Sequence, residues 1–340
     1  MDMVLLAVLI LGLWGLGLRK DDGHLSRAQT GAVNGFFVLL VFLRHTVDYI
    51  PAGHWDGIFR AVDSRLDQLI VVPFLFYSGY GIARSILSKG QSYVRGLPWQ
   101  RLFKVWYHFA LAVALYVILA LCMGKDYGGT RIALSFTGWD SIGNSNWYIF
   151  ATLVMYLATW LSFTVFRRHR WLAAVGVTVM AMGYILIMKQ TKGIWWYDTA
   201  LVYPAGIWYG LYQQELEAPL KKRPLLPWLA LAVWGGIFLL CFKLQSGLIW
   251  REGMAVAFAL TVLYGTMVIR VGNPVLTFLG KYTFEIYILQ RIPMIALRGH
   301  FENKYLYLAI SFGLTLVLAV LFQKLLTVLD GLIYRKGGKA

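Results

Sequence analysis

A histidine and an aspartate three residues apart, His45 and Asp48, close an apolar run that extends from Phe36 to Leu43, with Arg44 immediately before them. Residues at i and i+3 share a helix face, so the carboxylate can fix the tautomer of the imidazole and stabilise its protonated form. That pairing suits a general base and the group that orients it. At about 1.5 Å rise per residue, His45 lies roughly 16 Å along the axis from Asn34, in the outer half of a bilayer but short of bulk water. An ionisable group at a membrane helix centre costs roughly 2.5–3.5 kcal/mol on insertion scales, which makes each one a functional candidate. An Arg-His-Asp cluster that merely snorkels to the lipid headgroups reads the same way in sequence.

Other polar residues are weighed similarly. Asp67 with Gln68 either closes a polar acceptor site or complements a helix dipole. Glu285, four residues after Lys281, reads as a neutralising pair. Ser78 sits in Tyr77-Ser78-Gly79-Tyr80 with no GxSxG elbow, so close helix packing is the preferred reading over a nucleophile. His24, His108, His169 and His300 read as interfacial or loop histidines, and none stands at metal-ligand spacing with a carboxylate. Cys122 and Cys241 lie in apolar runs. They offer neither a CxxC site nor a disulfide framework, so no metal is expected.

The elements that position these groups follow from composition. Of 340 residues, 59% are hydrophobic and 14% charged, against about 25% charged in soluble domains. This is the composition of an all-α, polytopic integral membrane protein. Eleven transmembrane helices are expected, at 1–18, 33–51, 67–87, 103–123, 146–166, 171–189, 194–213, 227–243, 253–270, 274–296 and 304–328. The first lacks the basic n-region and cleavage site of a secretory signal. The basic cluster Arg19 to Arg27 follows it, which places the N-terminus outside and, after eleven crossings, the C-terminus in the cytoplasm. Cytoplasmic loops then hold Lys89, Arg95, Arg101, Lys104, Arg167, Arg168, Arg170, Lys221, Lys222 and Arg223. A net charge of +16 is thereby assigned to loops facing anionic membrane lipids, not to nucleic acid. The expected organisation is an N-terminal helix and linker at 1–30, a membrane domain at 31–330, and a basic tail at 331–340 containing Arg335, Lys336 and Lys339. Two outer loops, 51–66 and 124–145, mix polar groups with Trp and Tyr, as sugar or headgroup sites and ordinary solvated loops both do. No internal repeat is visible, which weakens an inverted-repeat transporter.

Four stretches carry a further likeness: Pro73-Phe74-Leu75-Phe76-Tyr77-Ser78-Gly79-Tyr80-Gly81, Arg101-Leu102-Phe103-Lys104, Asn146-Trp147-Tyr148-Ile149-Phe150, and Leu279-Gly280-Lys281-Tyr282-Thr283-Phe284-Glu285-Ile286-Tyr287. With His45, in this order, they resemble membrane-bound acyltransferase family 3, whose members move acyl groups from coenzyme A to extracytoplasmic glycans. The resemblance runs from Ala32 to about Leu329 and implies a ten-helix core, with the first helix an addition. Asn34 replaces the basic residue the family carries ahead of its histidine, and Gln290-Arg291-Ile292-Pro293 lacks a second histidine common there.

By this resemblance His45 is the base and Asp48 its orienter. Arg84, Arg95, Arg101 and Lys104 are implied to bind acyl-CoA, with acetyl-CoA as the expected co-substrate. Tyr80, Asn146, Trp147 and Arg291 are candidate contacts to the substrate carbonyl. Arg44, which could replace the missing basic residue, and Asp67 on the acceptor side complete the substrate-binding set. The expected partners are a carbohydrate or lipid-linked glycan acceptor and membrane lipids. The expected location is the cytoplasmic membrane of a prokaryote. A flippase of lipid-linked sugars and a catalytically degenerate relative remain open as alternatives.

Overall fold

A chain surrounded by lipid must close its backbone hydrogen bonds within each segment, and long apolar runs do so as helices. A computed structural model describes residues 1–244 and 246–334. Its helices are α1 (Asp2–Leu13), α2 (Arg27–Thr46), α3 (Gly57–Leu66), α4 (Val72–Lys89), α5 (Gln91–Leu97), α6 (Lys104–Cys122), α7 (Gly129–Phe136), α8 (Trp147–Val165) and α9 (Arg170–Thr191). They continue as α10 (Val202–Leu211), α11 (Gln213–Lys221), α12 (Leu226–Lys243), α13 (Leu248–Val268), α14 (Pro274–Lys281), α15 (Thr283–Leu289), α16 (Arg291–Ala296) and α17 (Lys304–Tyr334). Two short strands, β1 (Gly17–Leu18) and β2 (Ile269–Arg270), pair antiparallel with Gly17 opposite Arg270. The basic tail expected at Arg335, Lys336 and Lys339 lies outside the described residues.

The chain is therefore an all-helical, polytopic membrane protein. Among the described residues, seven helical stretches are long and apolar enough to span a bilayer. They coincide with seven of the eleven expected spans. The other four depart for separate reasons. α1 has 12 residues, about 18 Å of helix against a hydrocarbon layer of about 30 Å. α2 is 20 residues long but carries Arg27, Asn34, Arg44 and His45. α10 has 10 residues, and the 274–296 segment is divided into α14, α15 and α16 of 8, 7 and 6 residues. Broken helices persist at membrane depth only where protein covers them. Accordingly, Glu285 through Leu289 of α15 are all buried, as are Val202, Tyr203, Pro204, Gly206 and Ile207 of α10.

The two ends of the bundle are marked by ion pairs. At the upper end, the starts of α1, α3 and α17 meet where Asp56 Oδ1 accepts from the Met1 amine and from Lys304 Nζ, each at 2.6 Å. At the lower end, far along α17, Asp330 accepts from Lys104 Nζ at 2.6 Å and faces His108 Nε2 at 3.0 Å. α2 begins earlier than expected because Ser26 caps it, accepting the Gln29 N–H at 3.3 Å.

Glycines set the closest helix contacts. A Cβ on Gly79 of α4 would strike the Tyr203 carbonyl of α10, and one on Gly206 the Phe76 carbonyl. A Cβ on Gly35 of α2 would strike Leu276 of α14, and one on Gly280 the Gly31 carbonyl. These small-residue seams let backbones approach as membrane helices commonly do. Buried side chains form two clusters, one around α4, α8, α9, α10 and α13, the other around α2, α6 and α15–α17. Tyr77, Val105, Trp147, Tyr148 and Phe258 pack against both. They mark the seam between the two halves.

Candidate active site

A cavity of about 370 Å³ opens in that seam. Its wall takes Asn34 from α2, Tyr77 and Ser78 from α4, Tyr148 and Tyr156 from α8, and Tyr287 from α15. Arg101 completes it from the 98–103 turn that joins α5 to α6. Its Nε donates to the Tyr93 hydroxyl at 3.0 Å, which aims the guanidinium. Ser78 and Tyr156 share a hydroxyl contact at 2.9 Å. The Asn34 Oδ1 and the Tyr77 hydroxyl are buried without partners, and polar atoms left so on a cavity wall are ready to meet a ligand.

His45 lies eleven residues beyond Asn34, and at 100° per residue the two return to one face of α2. Its ring centroid is 6.3 Å from that of Tyr287, and Tyr287 in turn is 5.2 Å from Tyr148. A chain of aromatic rings thus links the histidine to the cavity. The His45 Nδ1 has no hydrogen-bond partner, nor does Oε1 of Gln290, a fully buried side chain whose Nε2 donates to the Tyr287 carbonyl at 3.1 Å.

The remaining expected residues are placed variously. Asp48 accepts from Arg291 Nη2 at 3.1 Å, while Arg291 Nε donates to the Tyr49 hydroxyl at 3.0 Å. Among the described residues no side-chain hydrogen bond joins Asp48 to His45; the Asp48 backbone N–H donates to the His45 carbonyl at 3.4 Å. Arg44 Nη1 is 3.6 Å from Asp63 of α3. Of the four cations proposed for acyl-CoA, Arg101 lines the cavity, Lys104 is paired with Asp330, Arg95 is exposed on α5, and Arg84 is half-buried on α4. Tyr80 donates to Gln213 of α11 at 2.9 Å, away from His45. Asn146 Nδ2 donates to the carbonyls of Gly138 and Asp140, both at 3.0 Å, and so pins the loop ahead of α8. Trp147 fills the seam beside Tyr148. Asp67 sits at the upper end with φ of +37°, a conformation that side chains rarely adopt.

Tyr77, Tyr148, Tyr156 and Tyr287 line the cavity without having been singled out in the sequence. Tyr77 and Tyr148 stand inside quoted motifs, three residues from Tyr80 and one from Trp147, and Tyr287 ends the fourth motif. One position is about 100° of helix, so Tyr148 faces a different way from Trp147. His24 also differs from a loop histidine at an interface. It is 2% exposed, and its Nε2 is 3.0 Å from Glu217 Oε1, which also accepts from Tyr209 at 2.8 Å. Burial alone would raise the Glu217 carboxyl, but the bonds from His24 and Tyr209 hold it down at about 2.

The build is that of a polytopic membrane protein with a partly polar cavity open between two apolar halves. Residues 32–324 match the acyltransferase domain family, and the chain belongs to that family, membrane-bound acyltransferase family 3. No curated protein and no solved structure matches it.

Proposed function

We propose that this protein transfers an acyl group, acetyl in the first instance, from cytosolic acyl-CoA to a hydroxyl of an extracytoplasmic carbohydrate or lipid-linked glycan. The lower end faces the cytoplasm and the upper end the outside, the orientation that puts most basic loops inside. His45 acts as the general base. It takes the proton of the acceptor hydroxyl as the oxygen attacks the thioester carbonyl. The carbon–sulfur bond then breaks, and the imidazolium returns its proton to the departing thiolate. Arg101 steers the anionic donor at the cavity mouth, as a fork-shaped cation suits phosphate. Tyr77 and Asn34 offer polar contacts along the pantetheine. Arg291, tied to Asp48, supplies positive charge near the carbonyl oxygen as it becomes anionic.

The observation that carries this reading is the His45 ring, with an unpartnered Nδ1, next to Tyr287 on the wall of a cavity that also exposes Arg101. The test compares surface glycans by mass spectrometry from cells with the gene, without it, and with His45→Ala. Acyl groups present only with the unaltered protein are expected, at equal membrane levels of both proteins. Retained acylation in the His45→Ala strain would remove the base, and a substrate moved across the membrane with unchanged mass would indicate a flippase.

A further inference from the structure

A second polar cavity, of about 270 Å³, lies at the upper end between the start of the 67–71 turn and the first turn of α13. Asp67, Gln68, Asp198, Thr199, Arg65 and Arg251 line it. Asp198 is 5% exposed, and its Oδ1 has no hydrogen-bond partner, while Oδ2 lies 3.5 Å from Arg251 Nη1. A buried carboxylate oxygen with no partner is costly to keep dry unless a ligand or water meets it.

The turn that presents Asp198 is fixed by a separate group. Both carboxylate oxygens of Glu252 accept backbone N–H bonds, from Ala200 at 3.1 Å and Leu201 at 3.0 Å. Glu252 thus serves the backbone and leaves Asp198 free to face the cavity. Opposite it, the Gln68 amide donates to Asp67 Oδ1 at 3.1 Å. Leu66 lines both this cavity and the crevice that holds Arg44 and Asp63, so the cavity adjoins the His45 end of α2.

From this constellation we infer that the upper cavity is a docking subsite for one neutral, polyhydroxylated ring of the acceptor. Asp198 and Asp67 accept its hydroxyl protons, and Arg251 donates to its oxygens. Two carboxylates and two guanidiniums balance, so a phosphate would meet Asp67 and Asp198 while an ammonium would meet Arg65 and Arg251. Vicinal hydroxyls can satisfy both signs at once, each acting as donor and acceptor. The inference rests on the acyltransferase reading of the lower cavity and adds where one ring of the acceptor docks and which side chains meet it. Asp198 and Arg251 are binding residues here, and Glu252 is a positioning residue.

The experiment uses the full chain in proteoliposomes with radiolabelled acetyl-CoA and, as acceptor, envelope extract from cells lacking the gene, separated afterwards into lipid-linked and polysaccharide fractions. Loss of a charge-assisted hydrogen bond is worth about 1.5–3 kcal/mol, or about 10–150-fold. Asp198→Asn and Arg251→Gln should therefore raise the acceptor KM by about tenfold or more, a far larger change than in the acetyl-CoA KM. Glycan label whose acceptor KM rises in both variants supports the subsite. An unchanged acceptor KM in both variants overturns the subsite, as does an equal rise in the acetyl-CoA KM, which would mark a structural role. If the unaltered protein cleaves no thioester, the parent reading fails instead, and the two failures stay distinct.

Discussion

Replacing Glu252 by alanine removes the acceptor for two backbone N–H groups at once. The side chain is 4% exposed, so water does not take over, and Ala200 and Leu201 each lose a bond of about 3 Å. An unsatisfied buried donor costs about 1–3 kcal/mol, so the pair costs roughly 2–6 kcal/mol. At about 2.1 cal/mol/K of unfolding entropy per residue, a 340-residue chain shifts its midpoint by about 1.4 °C per kcal/mol. The lower bound therefore lowers Tm by about 3 °C. The assay is tryptophan fluorescence on heating in one detergent, with Glu252→Gln alongside. The amide keeps one acceptor oxygen and turns a donor toward the other N–H, so its Tm should fall between those of the other two proteins. An alanine variant that melts with the unaltered protein would show that the carboxylate does not hold the 197–201 turn.

Two further outcomes are expected. Arg101→Gln should raise the KM for acetyl-CoA by about 10–100-fold, the value of a lost charge-assisted contact, with weaker salt dependence than the unaltered enzyme; an unchanged KM would separate Arg101 from donor binding. The Glu217 carboxyl titrates near 2 in the folded chain against a usual 4.5. Its contribution to stability is therefore complete above about pH 4.5 and is lost as the pH falls toward 2. Unfolding midpoints measured across that window should fall less steeply in Glu217→Gln, and equal slopes would refute the assignment.

Hydropathy was enough to find the seven long helices, since each holds a long apolar run with at most two charges. It could not show that 274–296 breaks twice or that 194–213 keeps only ten residues of helix. Those segments mix apolar runs with polar residues, Asp198 in one and Lys281, Glu285, Gln290 and Arg291 in the other, and their glycines bring them against α2 and α4. The site was legible to a similar degree. His45 stood out because an ionisable group in an apolar helix is costly, and Arg101 because it falls in a short basic motif. The pairing of Asp48 with Arg291 spans 243 residues, so i,i+3 spacing, which suggested His45 as its partner, carried no sign of it. Asp198 and Glu252 escaped notice because nothing nearby in sequence distinguishes a carboxylate that grips a turn from one that meets solvent.

The Asn273 side chain donates to the carbonyls of Leu11 and Trp14, and its own Oδ1 caps α14 by accepting the Leu276 N–H. The bond to Trp14 joins residues 259 positions apart. At roughly 5–20 residues per second of synthesis, Asn273 is made roughly 13–50 s after Trp14. Throughout that interval the first helix sits in the bilayer with its last carbonyls lacking their eventual donor. The nascent protein is thus an open arc, and the clasp between α1 and α14 cannot close until Asn273 has been made.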